Sequence, residues 1–235
     1  MSASRPLLLL HGALGAASQF DELLPLLRGR FDVHALNFAG HGGGEQTEEP
    51  FSIAGFSAGL ERWLDDREMD GADIFGYSMG GYVALHLARR SPRHVGRIFT
   101  LATKFAWDEA TSAKEAGMLN PVAIEEKVPR YAGQLQERHA PHDWKTVLSK
   151  TAEMMLALGR EPELPIEDLA GVEHRVMIGV GDSDRMVSIE ESVAAYRRLP
   201  NGRFIVMPGT PHPLEKVSSG RLVGEIDGFF LPNES

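Results

Sequence analysis

A chain of 235 residues, 43% of them hydrophobic, can bury a sizeable core as one domain with room for one insertion. It has no cysteine, which excludes disulfides, thiolate metal sites and a cysteine nucleophile, and its formal net charge of −9 without any basic run argues against a nucleic-acid partner or an anionic membrane surface. The N-terminal stretch carries one Arg and four consecutive leucines, too short for a signal-peptide core, and no apolar run approaches membrane-spanning length, so a cytoplasmic location is expected.

In chain order, 6–11 reads as a strand whose leucines show no polar alternation, as a sheet covered on both faces requires. A helix over 18–28 and a strand over 31–36 follow. A second helix is predicted over 52–66, where Ile53, Phe56, Leu60, Trp63 and Leu64 recur at three- and four-residue spacing. It contains Gly55-Phe56-Ser57-Ala58-Gly59, a Gly-x-Ser-x-Gly pattern that falls in mid-helix and so reads as a decoy.

The same pattern occurs again at Gly76-Tyr77-Ser78-Met79-Gly80, between a strand at 72–77 and a helix at 79–90. That context makes it a nucleophile elbow: the serine stands at the tip of a sharp turn, and small residues two before and two after let the flanking segments pass closely. The helix starting just beyond Ser78 aims unpaired N–H groups and a positive dipole end at the place where an oxyanion would form.

After a strand at 97–103, the segment 104–167 shows helical patterns and no strand. Its apolar residues are read mainly as helix-packing faces, and Tyr77, Trp107, Trp144 and Met154 are the candidates for a substrate pocket beneath them. His139-Ala140-Pro141-His142-Asp143 has the residue types of a metal site, but Pro141 breaks the helical ligand spacing, and no metal is expected. A strand at 174–181 leads into a loop holding Asp182 and Asp184, a helix follows at 188–199, and a strand at 202–207 leads into a loop holding His212 before a last helix at 214–230. The alternation predicts six mostly parallel strands with helices on both faces. Ser78, the aspartates and His212 all lie just beyond carboxyl ends of strands, where catalytic groups collect in open α/β sheets.

The elbow, the order Ser, Asp, His and the loop positions together resemble the α/β-hydrolase superfamily over nearly the whole chain. Leu10-His11-Gly12-Ala13 is similar to the family's His-Gly turn, and Gly181-Asp182-Ser183-Asp184-Arg185-Met186-Val187 is similar to its Gly-x-x-Asp-x-x-Val, while Pro208-Gly209-Thr210-Pro211-His212 carries its Gly-x-x-His. The resemblance implies a Ser78–His212–Asp184 triad and an oxyanion hole built from the Ala13 and Met79 N–H groups. It also implies a core of 1–103 and 168–235 with a helical cap at 104–167. His11 and His41 are expected to hydrogen-bond within their turns. The expected activity is serine hydrolysis of an ester or other activated acyl bond of a small, mainly apolar molecule, with no cofactor. A slow-turnover ligand receptor, a C–C hydrolase or lyase and a perhydrolase are the alternatives on this fold, and Tyr82 stands where the lyases usually carry an arginine. The expected partner is a small-molecule substrate, with a homodimer left open.

Overall fold

The computed structural model describes residues 5–231. Six strands form one wholly parallel sheet: β1 (Pro6–Leu10), β2 (Asp32–Leu36), β3 (Ala72–Tyr77), β4 (Val95–Leu101), β5 (Val176–Gly181) and β6 (Gly202–Met207). Their order across the sheet is β2-β1-β3-β4-β5-β6. The chain therefore steps one way from β1 to β2 and returns to the other side of β1 with β3. Strand order reverses there, and the crevice beyond the carboxyl ends of β1 and β3 is the place where such sheets bind ligands.

The leucine run of β1 divides between two cores. Leu8 and Leu10 face one side with Ile53, Phe56, Leu60 and Leu64 of α2 (Ile53–Asp65) and with α3 (Met79–Arg90). Leu7 and Leu9 face the other side with Phe75, Phe99, Phe229 and Phe230. All four leucines are fully buried, which is why no polar residue alternates with them. Asp73 is buried near the start of β3 and is paired by Arg97, whose Nη2 lies 2.6 Å from its Oδ2.

Two predicted helices are broken. The segment expected at 18–28 forms a 3₁₀ turn (Ala17–Phe20) and a single-turn helix α1 (Leu24–Leu27), because Pro25 has no N–H to continue a helix and fits only in a first turn. The segment expected at 214–230 forms a 3₁₀ turn (Leu214–Lys216) and a terminal helix; between them Val217 turns extended and buries its side chain in the second core. The strand predicted at 97–103 ends earlier, at Leu101, since Ala102 takes a left-handed φ of 57°.

Between β4 and β5 the chain makes four helices, α4 (Glu109–Gly117), α5 (Pro121–Lys127), α6 (Pro129–His139) and α7 (Trp144–Arg160). The helix after β5, α8, spans Ile189–Tyr196, and the terminal helix, α9, spans Ser219–Phe230. No helix among the described residues is long and apolar enough to cross a membrane.

Candidate active site

Ser78 sits between β3 and α3 with φ 52° and ψ −117°, a region that costs a non-glycine residue about 1–3 kcal/mol and persists only where neighbours over-determine it. The neighbours are visible. The Ser78 N–H donates to the Leu101 carbonyl at 2.8 Å, and its own carbonyl accepts from Thr103 Oγ1 at 2.8 Å and from the Gly81 N–H at 3.1 Å. A Cβ on Gly76 would lie 2.5 Å from Gly81, and one on Gly80 would run into the Leu10 and His11 carbonyls, so both glycines are required for strand, turn and helix to pass each other.

From this turn a hydrogen-bonded chain crosses the sheet edge. Ser78 Oγ lies 3.4 Å from His212 Nε2, and His212 Nδ1 lies 2.8 Å from Asp184 Oδ2. Asp184 Oδ1 accepts from the Met186 and Val187 N–H groups at 2.8 and 2.9 Å. Burial by itself would raise the Asp184 carboxyl, but the hydrogen bond and charge of His212 and these two N–H groups outweigh it, and the carboxyl is held below its ordinary value. An ionised Asp184 puts the imidazole proton on Nδ1 and leaves Nε2 free to accept the serine proton.

The sequence left Asp182 beside Asp184, and the two carboxylates do different things. Asp182 Oδ1 accepts from the Gly209 N–H at 2.6 Å and from Ser183 Oγ at 3.0 Å, tying the loop after β5 to the loop after β6. Ser57 is fully buried within α2, and its hydroxyl has no partner among the described residues, as expected of the decoy copy.

Above Ser78 is a cavity lined by Ala13, Met79 and His212 around the serine and by Ile53, Tyr82, Trp107, Met154, Leu158 and Met186 farther out. Ala13 and Met79, the expected oxyanion pair, thus both flank the serine. Their approach depends on Gly12, where a Cβ would lie 2.9 Å from the Tyr77 ring and 3.1 Å from Ser78 Cβ. Trp107 and Met154, two of the four pocket candidates, line this cavity.

Trp144 and Tyr77 do not. Trp144 is buried near the start of α7, about 15 Å along the helix from Met154 at 1.5 Å per residue, and packs in the first core. Tyr77 points to the opposite face of the sheet with Phe75, and its hydroxyl donates to the His212 carbonyl at 2.8 Å. It positions the histidine loop rather than the substrate pocket. Thr103 is a bracing residue that sequence reasoning missed, and Tyr77 was expected in the substrate pocket, although the two-residue parity of β3 places it with the buried Phe75.

Three further histidines tie the loops together. His11 lies with Nδ1 2.8 Å from the Gly12 carbonyl, and its Nε2 accepts from the Phe38 N–H at 3.2 Å. His139 Nδ1 accepts from the Gly42 N–H at 3.1 Å while its Nε2 lies 3.2 Å from the Leu14 carbonyl. His142 Nε2 lies 2.8 Å from the Gly44 carbonyl. The histidines of the 139–143 stretch are therefore staples between α6 and the loops after β1 and β2.

Desolvation by burial lowers His11 to about 3 and His139 to about 4, and it lowers His41 well below the ordinary imidazole value. All three are neutral in the folded protein, whereas in the unfolded chain they take up protons near pH 6.5. Stability is therefore complete above that value and is lost as pH falls below it, by up to about 1.4 kcal/mol per pH unit for each histidine. The urea midpoint should change little from pH 7.5 to about 6.5 and fall as the pH drops further to 5; a constant midpoint down to pH 5 would contradict this.

The family model described as "Alpha/beta hydrolase family" matches residues 7–217. The chain belongs to that family. It is 28% identical over 231 residues to a pimeloyl-[acyl-carrier protein] methyl ester esterase of Neisseria meningitidis serogroup B, a match covering 89% of this chain and 86% of that protein. Among solved structures it resembles a thermophilic esterase from Thermogutta terrifontis, with TM-score 0.77, 18% identity and coverage of 96% and 89% of the two chains. It also resembles the enol-lactonase from Burkholderia xenovorans LB400, with TM-score 0.78, 15% identity and coverage of 98% and 93%. At these identities the structural likenesses establish the fold of this alpha/beta hydrolase.

Proposed function

We propose that this alpha/beta hydrolase cleaves a carboxylic ester, or a similarly activated acyl bond, of a small and mainly apolar molecule through an acyl-enzyme. The observation that carries the reading is the Ser78–His212–Asp184 hydrogen-bonded chain opening into a cavity of aromatic and aliphatic side chains. In this reading His212 Nε2 takes the Ser78 proton as Oγ attacks the carbonyl carbon. Asp184 holds the tautomer and stabilises the imidazolium, and the Ala13 and Met79 N–H groups hold the oxyanion. His212 then protonates the leaving alkoxide, and a water activated by the same histidine hydrolyses the acyl-enzyme. The 3.4 Å serine–histidine separation is the loose contact usual without substrate and would shorten on binding.

The residues 104–167 would act as the cap that keeps water from the intermediate, with a small-molecule substrate as the partner and the cytoplasm as the place of action. The methyl ester esterase relative supports an ester over an amide, because the chain resembles it along most of both lengths. A panel of p-nitrophenyl esters tests the reading: turnover well beyond one equivalent per protein is expected, and a single stoichiometric burst would favour a receptor instead.

The two tryptophans separate pocket from packing. Trp107→Ala should move the acyl-chain length at which kcat/KM is greatest, an optimum expected below about ten carbons, because each methylene buried in the cavity adds up to about 0.8 kcal/mol until the space is full. Trp144→Ala should leave that optimum in place and instead lower stability by about 3–5 kcal/mol. Chain-length profiles and urea melts of both variants check this; a shifted optimum in the Trp144 variant alone would reverse the assignment.

A further inference from the structure

Two charged side chains enter the wall of the apolar cavity, and neither is used by the triad. Lys104 and Glu115 both line it with Ser78 and His212. Lys104 Nζ donates to the Met186 carbonyl at 2.7 Å and lies 3.6 Å from Glu115 and 4.0 Å from Glu191. Around one ammonium there are thus two carboxylates, and they are not equivalent.

Glu191 is fully engaged. Its Oε1 accepts from the Phe105 and Ala106 N–H groups at 2.9 and 3.2 Å, and its Oε2 accepts from the Ser188 N–H at 3.2 Å. Glu115 is only 4% exposed, yet its carboxylate accepts no hydrogen bond among the described residues and has Lys104 as its one ion-pair partner there. A buried carboxylate is costly unless its lone pairs are satisfied. The helix that carries it packs on α7 at Gly159, where any Cβ would overlap the Ser112 side chain one turn from Glu115. The acceptor stands in the cavity wall with unused lone pairs, in a group of one ammonium and two carboxylates that is net negative.

We propose that Glu115 determines specificity: its carboxylate accepts a hydrogen bond from a hydroxyl or ammonium group on the part of the substrate that fills the cavity, and it excludes a carboxylate from that position. The inference rests on the ester-hydrolase reading and names the substrate class within it, an ester with an apolar chain carrying a hydrogen-bond donor. Lys104, 3.6 Å from Glu115, is a positioning residue that pairs with it beside the donor. Glu115 and Ser78 line one cavity, so donor and ester would lie on one molecule.

The test uses two series of esters of equal length, one varied at the end of the acyl chain and one at the end of the alcohol, each ending in methyl, hydroxyl, ammonium or carboxylate. In the wild-type protein one series should show kcat/KM at least about tenfold higher for the hydroxyl and ammonium members than for the carboxylate member, the size expected of one charged hydrogen bond. Glu115→Gln should retain the hydroxyl preference and lose the ammonium preference, and Glu115→Leu should lose both. Melting temperatures of both variants are measured beside the ratios. A lowered Tm with unchanged ratios would mean that Glu115 only pairs with Lys104, and would overturn the proposal. So would equal turnover of all members in both series. If no ester of any kind, methyl-ended members included, is turned over, the ester-hydrolase reading itself fails, which is a separate result.

Discussion

Ser78→Ala is expected to lower ester turnover by about three orders of magnitude or more, while Ser57→Ala leaves it within severalfold. The two serines carry the same five-residue pattern, so the pattern alone predicts the same effect for both, although the elements predicted around each copy already set Ser78 apart. Structure predicts opposite ones. Ser78 stands on a left-handed turn with its hydroxyl toward His212, and its removal leaves the histidine no oxygen to deprotonate. Ser57 is buried inside α2 with no hydrogen-bond partner among the described residues, so alanine removes a polar atom that contributes nothing to the cavity or the triad. Steady-state kinetics of the two variants on one p-nitrophenyl ester decide the matter; equal losses would mean that the effect is on folding.

The second large effect is at the acid. Asp184→Asn should leave the fold intact and cut kcat by about four orders of magnitude, because an amide there can donate to Nδ1 and so places the imidazole proton on the wrong nitrogen. Asp182→Asn should cost far less. It weakens the tie between the loops after β5 and β6, but leaves the Asp184–His212 contact at 2.8 Å in place. Kinetics of the pair, with circular dichroism to confirm folding, check this; a larger loss at Asp182 would shift the register of the whole loop.

Much of this site was legible because its signals are short-range. The elbow needs strand, small residue, serine, small residue and helix in immediate succession, and every part of that series is local to 72–90. The order of Ser78, Asp184 and His212 along the chain, with a strand before each, placed them at one sheet edge once the sheet was known to be parallel. What failed depends on packing across the chain. Pro25 divides the helix expected at 18–28, a local signal that hydrophobic spacing outvoted. Tyr77 adjoins the nucleophile in sequence but faces the other side of the sheet, as the two-residue alternation of β3 with Phe75 dictates. Trp144 was grouped with Trp107 by composition, although the pitch of α7 carries it away from the cavity. Glu115, Thr103 and Lys104 could not be recognised at all, since their meaning lies in contacts with residues that only the fold brings near.

The central claim is that Ser78 is the nucleophile. Treating the protein with a fluorophosphonate and mapping the adduct by mass spectrometry of its peptides tests it most directly, since only an activated serine is phosphonylated rapidly. The expected result is one adduct per chain, on Ser78, absent from the Ser78→Ala variant and strongly slowed in Asp184→Asn. An adduct on Ser57, or unchanged labelling of the Ser78→Ala variant, would contradict the account.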